Sequence, residues 1–163
     1  MSKVEHTCPM NSRRHLLRAG AATVVAALVG TSSLVQAAAP VAVDVWKSPT
    51  CGCCADWVKH MERNGFKVTV HDTGNAAVRA RLRIPAAYGS CHTAKVADYA
   101  IEGHVPAREI QKLLAQRPAA IGLAVAGMPV GSPGMELADE NDPYDVLLIT
   151  ADGRALVFAS YNK

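Results

Sequence analysis

The chain has 163 residues, half of them apolar and 19% charged, with two Trp and two Phe, a composition that fits one small globular domain plus an appendage. Its formal net charge of +3 comes from the first 37 residues, which hold Lys3, Arg13, Arg14 and Arg18 against the single acid Glu5. The remaining chain balances 13 basic against 13 acidic residues, so charge gives no case for nucleic-acid or anionic-membrane binding.

Residues 1–37 read as a cleavable targeting segment. Three arginines precede an uncharged stretch from Ala19 to Gly30, of signal-peptide length and too short to span a bilayer, and Val35-Gln36-Ala37 forms a small-residue cleavage pattern. The run Ser12-Arg13-Arg14-His15-Leu16-Leu17-Arg18 resembles the twin-arginine export signal. An ordinary export signal with two adjacent arginines is the alternative. Both predict a periplasmic mature chain of residues 38–163 without a membrane span.

The mature chain shows no internal repeat. Val41 to Trp46 is a β-branched run of strand length, Lys47-Ser48-Pro49-Thr50 turns the chain, and a helix is predicted from about Cys53 to Asn64, ended by Gly65. Cys54, Trp57, Val58 and Met61 recur at spacings of three, four and seven, which places them on one buried face. Lys67 to His71 follows as a strand and Asn75 to Arg83 as a short helix stopped by Pro85. A Gly- and Ser-punctuated insertion then carries Cys91, with a strand expected through Tyr99 to Ile101 and a third helix from Pro106 towards Pro118. Ile121 to Val125 reads as a strand, and Tyr144 to Thr150 with Ala155 to Ser160 as a hairpin turning at Asp152-Gly153. The order is that of an α/β protein, a thioredoxin-like mixed sheet flanked by helices. In that frame Gly127-Met128-Pro129 stands where a cis-proline would face the cysteines.

Cys8 leaves with the targeting segment, so Cys51, Cys53, Cys54 and Cys91 remain. In an oxidising compartment, two structural disulfides are one reading of four cysteines. Cys51 and Cys54 also form a C-x-x-C pair at a helix start, where unpaired N–H groups and the positive dipole end favour the reactive thiolate. Such an oxidoreductase gains nothing from Cys53, which offers competing and strained disulfides. A soft metal does gain from it. Cu(I) prefers thiolate and accepts two- or three-coordinate geometry, and four thiolates neutralise four Cu(I) ions. A Zn site usually draws its cysteines as two separated pairs, so zinc fits less well.

The combination of Cys51-Gly52-Cys53-Cys54, Ser90-Cys91-His92-Thr93-Ala94, Glu102-Gly103-His104-Val105-Pro106 and Gly127-Met128-Pro129-Val130-Gly131-Ser132-Pro133-Gly134-Met135-Glu136 resembles the CopG family of exported copper-resistance proteins. The likeness spans nearly all of the mature chain and departs at Ala126, where proline is expected. It implies a periplasmic, thioredoxin-like protein that binds a multinuclear Cu(I)–thiolate cluster through Cys51, Cys53, Cys54 and Cys91. Such a protein would buffer or relay copper ions, with a periplasmic copper donor or acceptor protein as partner.

His92 and His104 are auxiliary candidates, as ligands, proton relays or hydrogen-bonding groups. Met128 and Met135 are thioethers acceptable to Cu(I), and equally ordinary gap-fillers. His60, His71, Trp57 and Met61 read as structural, and Glu136, Asp139, Glu140 and Asp142 as a solvated loop without calcium-loop spacing. No hydrolase triad, phosphate loop or paired catalytic carboxylates are present, which leaves metal binding or thiol–disulfide exchange as the function.

Overall fold

The structure is a computed structural model that describes residues 39–163; the expected targeting segment and cleavage pattern lie outside the described residues. Its elements are β1 (Val41–Lys47), α1 (Gly52–Arg63), β2 (Phe66–His71), α2 (Ala76–Arg81), β3 (His92–Val96), β4 (Tyr99–Glu102), α3 (Ala107–Gln116), β5 (Ala120–Ala124), β6 (Tyr144–Thr150) and β7 (Ala155–Tyr161). The seven strands form one mixed sheet in the order β2-β1-β3-β4-β5-β6-β7. Pairs β1/β2 and β4/β5 are parallel and connected through α1 and α3; the other four pairs are antiparallel. This is the α/β architecture expected from the element order, and its first seven elements are consistent with a thioredoxin-like frame.

Side-chain alternation along the strands divides the core into two layers. Val43, Val45, Ala94, Val96, Ile101, Leu123 and Val146 meet Trp57, Val58 and Met61 of α1 and Ile110 and Leu113 of α3 on one face. Ala100, Ile121, Ala124 and Ile149 meet Ile84 and the partly buried Leu82 and Tyr88 on the other. Helix α1 buries Cys54, Trp57, Val58 and Met61, the stripe its spacing predicts. The closing hairpin turns where Gly153 donates to the Thr150 carbonyl.

Two expectations need correction. The segment holding Cys91 is more than an insertion: it leads into β3, which lies between β1 and β4 near the centre of the sheet. His92-Thr93-Ala94-Lys95-Val96 escapes strand reading because its buried positions other than Val96 are small or polar, as a strand covered on both faces needs no apolar alternation. The second concerns Pro129. No cis peptide occurs among the described residues, so the Met128–Pro129 bond is trans. The entry to β3 faces the start of α1 with Cys91, and the loop that carries Pro129 reaches the same turn at Gly134.

Candidate metal centre

Two chain segments build the centre. The first turn of α1 carries Cys51 at the N-cap in extended conformation, then Cys53 and Cys54, with no acidic side chain in that turn. Ala55 N–H donates to the Cys51 carbonyl, and no side chain caps the helix, so its dipole end faces the sulfurs. The second segment is the entry to β3, registered against β1 by Lys47–His92 and Trp46–Thr93 pairing, which brings Cys91 beside α1.

Cys51 and Cys54 are joined as a disulfide, and Cys53 and Cys91 are free. Cys53 Sγ lies 3.6 Å from Cys51 Sγ and 4.0 Å from Cys91 Sγ. Cys54 is fully buried, its Sγ 3.7 Å from the Cys91 carbonyl. Sulfurs sharing a tetrahedral metal at about 2.3 Å sit about 3.8 Å apart, so both spacings suit a shared or bridging ion. Helix and strand together assemble all four sulfurs within 4.8 Å of one another.

Cys91 also belongs to a second group. Its Sγ is 3.1 Å from His104 Nε2 and 3.5 Å from His92 Nδ1. His104 Nδ1 is 2.8 Å from the Pro133 carbonyl, which can only accept. Nδ1 therefore carries the proton, and the Nε2 lone pair is left facing sulfur. His92 packs against Trp57 at 4.4 Å between ring centroids, and its buried Nε2 has no hydrogen-bond partner among the described residues. Trp57 is anchored by Nε1 donating to the Val105 carbonyl, next to His104.

Burial, with the neighbouring His104 behind it, holds the His92 pKa down to about 3, and burial also lowers His104 and His60. Burial and then Cys53 push the Cys91 thiol up to about 12. The metal-free pocket thus holds neutral imidazoles and a neutral Cys91 thiol, and a metal must displace that thiol's proton. One consequence is measurable without metal. An unfolded histidine takes up its proton near pH 6.5, whereas these three resist, so the unfolded state binds more protons and stability falls with falling pH. His92 alone is expected to make the protein about 2 kcal/mol less stable at about pH 5 than at about pH 7, read from urea unfolding. Glu102, whose pKa burial raises, works in the opposite sense, one carboxyl against three imidazoles.

A third part of the site was not legible as such in the sequence. Glu102 is fully buried and paired with Arg79 at 2.7 Å. Around them Asn75, Ser90 and Thr93 complete a polar network against the Cys91-His92 peptide. The only sequence signal was the placement of Glu102 beside Gly103-His104. The Gly127–Glu136 loop closes the other side. A Cβ on Gly134 would lie 2.7 Å from both the Cys53 carbonyl and the Trp57 nitrogen, so only glycine lets the loop press on α1.

Met128 is 51% exposed and Met135 partly buried in a turn whose carbonyl accepts from Gly131. Glu136 and Asp142 accept backbone N–H groups of Gly134 and Val130, which makes them staples of the loop. His60 Nε2 accepts the Ala107 N–H at the start of α3, and His71 pairs with Asp44 at 2.8 Å, both structural roles. Among the described residues no helix is long and apolar enough to cross a membrane.

Residues 88–135 match a family described as a protein of unknown function, DUF411. The search of curated proteins returns no match. Two solved structures, named "Copper resistance protein copG- Form 1" and "Copper resistance protein copG- Form 2", are each 50% identical to this chain. Each covers 76% of it over 99% of its own length, with TM-scores of 0.72 and 0.71.

Proposed function

Because the chain belongs to the CopG family of copper resistance proteins, we propose that it is an exported, periplasmic protein that binds Cu(I) in a multinuclear thiolate cluster. In this reading residues 1–37 are removed as a signal of the twin-arginine type. Cys51, Cys53, Cys54 and Cys91 are the sulfur ligands, and the free lone pair of His104, with His92 beside it, adds nitrogen to the same pocket. The observation that carries it is the approach of Cys91, from the entry to β3, to 4.0 Å from Cys53 and 3.1 Å from His104. Soft sulfur and imidazole suit Cu(I); a single Zn²⁺ on four thiolates would leave two negative charges in a half-buried site.

The Cys51–Cys54 disulfide couples loading to redox state. Four thiolates exist only after two electrons and two protons have opened that bond to two thiols. In the reverse direction, two Cu(II) ions can each take one electron from the dithiol, giving two Cu(I) and the disulfide and releasing the two thiol protons to solvent. Copper storage, relay and valence conversion all follow from this chemistry, and a copper donor or acceptor protein would be its partner. The same disulfide at a helix start favours a second reading, a thiol–disulfide oxidoreductase using Cys51 and Cys54.

An anaerobic Cu(I) titration of the reduced and the disulfide form separates the two. The reduced protein is expected to retain several Cu(I) per chain after desalting, and the disulfide form no more than one. Weak copper binding together with insulin reduction that survives Cys53→Ser would establish the oxidoreductase instead.

A further inference from the structure

Glu102 at the end of β4 and Arg79 of α2 form a charged pair, with Glu102 fully buried and Arg79 20% exposed at its side chain. Burying such charges is costly unless every lone pair and proton is used, and replacement by apolar groups often stabilises a protein. Here the contacts converge on one dipeptide. Glu102 Oε1 accepts the Ser90 N–H at 2.7 Å, and Oε2 accepts the Thr93 hydroxyl, so the two oxygens of one carboxylate bracket Cys91-His92. Arg79 Nη2 donates to the Ser90 carbonyl at 2.6 Å while its Nε bonds Glu102. Asn75 Nδ2 repeats the bracket, 3.1 Å from the Ser90 carbonyl and 3.2 Å from Thr93 Oγ1.

The carboxylate also ties this segment to the other ligand-bearing one. Glu102 ends β4, and the Gly103 N–H that follows donates to the His92 carbonyl at 2.9 Å. A Cβ on Gly103 would fall 2.5 Å from Ser90 Cβ, so the two segments touch with no room between them. Backbone on both sides of Cys91 is thus held against the strand that leads to His104.

We propose that Glu102 and Arg79 are positioning residues for the metal centre: they fix the Cys91-His92 peptide so that Cys91 meets Cys53 and His104 at ligand spacing before metal arrives. The inference rests on the metal-binding reading of the site, and its first test needs no metal. Cys91 is half-buried, whereas Cys54 is fully buried and reports general opening of the fold.

In reduced, metal-free protein, Glu102→Gln and Arg79→Lys are expected to speed iodoacetamide labelling of Cys91 at least about tenfold with Cys54 unchanged. Cu(I) affinity, measured by chelator competition, is expected to fall about 10- to 100-fold, the range seen when groups supporting metal ligands are removed. The apolar pair Arg79→Met/Glu102→Leu is expected to match or exceed the thermal stability of the unaltered protein while remaining defective in both measurements. Unchanged Cys91 labelling in folded variants overturns the proposal, as does equal acceleration at Cys54 and Cys91, which marks a merely structural pair. So does an apolar pair with full copper affinity. Faster Cys91 labelling in a protein whose unaltered form holds no copper supports the clamp and removes the metal reading.

Discussion

Cys91→Ser is expected to reduce retained Cu(I) from several ions per reduced chain to no more than one. Three of the four sulfurs come from a single helical turn, and among the described residues Cys91 is the one thiol supplied from elsewhere in the fold. It is also the member shared by both candidate metal-binding groups, 4.0 Å from Cys53 and 3.1 Å from His104, so its loss cuts the sulfur set from the histidines. Serine supplies a hard, protonated oxygen on a shorter bond, a poor exchange for a thiolate that bridges soft ions. Because the Cys91 side chain is only half-buried, the fold is expected to survive, with a thermal midpoint within a few degrees of the unaltered protein. Metal analysis after anaerobic desalting gives the stoichiometry. Full copper loading of Cys91→Ser would move the site onto the helix turn alone and end the four-sulfur reading.

Trp57→Ala carries the largest expected stability loss. The indole is fully buried between α1 and the sheet, and its Nε1 holds the Val105 carbonyl at 2.9 Å. Removing it opens a core cavity at a cost of about 3–5 kcal/mol, a large share of the stability of a small domain. Trp57→Phe refills most of the volume but leaves that carbonyl without a donor, for about 1–3 kcal/mol. The indole also covers His92, so the alanine variant admits water beside the imidazole and moves its pKa from about 3 towards the ordinary value. The acid-side loss of stability below neutral pH is therefore expected to shrink. Urea unfolding at two pH values tests both effects; a cost under about 1 kcal/mol would mean that the core closes over the gap.

Much of this protein is written locally. The spacing of Cys54, Trp57, Val58 and Met61 selects the buried face of α1 because helical period alone decides which residues share a face. The hairpin of β6 and β7 and the start of α3 are equally local, governed by turn chemistry and proline. A motif set spread over the chain is enough to name the family. Strand β3 could not be read this way: its residues are explained by neighbours on both sides, Trp57 against His92 and Glu102 against Thr93, and those neighbours are distant in sequence.

The composition of the site, three cysteines at a helix start plus one elsewhere, is a property of the sequence, as is the chemistry that favours a soft metal. Which groups meet was decided only by tertiary structure. Pairing of β3 with β1 and β4 brings Cys91 to Cys53 and His104, aims the His104 lone pair through the Pro133 carbonyl, and places the buried Glu102, paired with the partly exposed Arg79, behind Cys91 and His92. The physical reason is that a side chain's type follows from its own position. Its distance to a partner, its lone-pair direction and its desolvation are sums over atoms that the chain brings together only on folding.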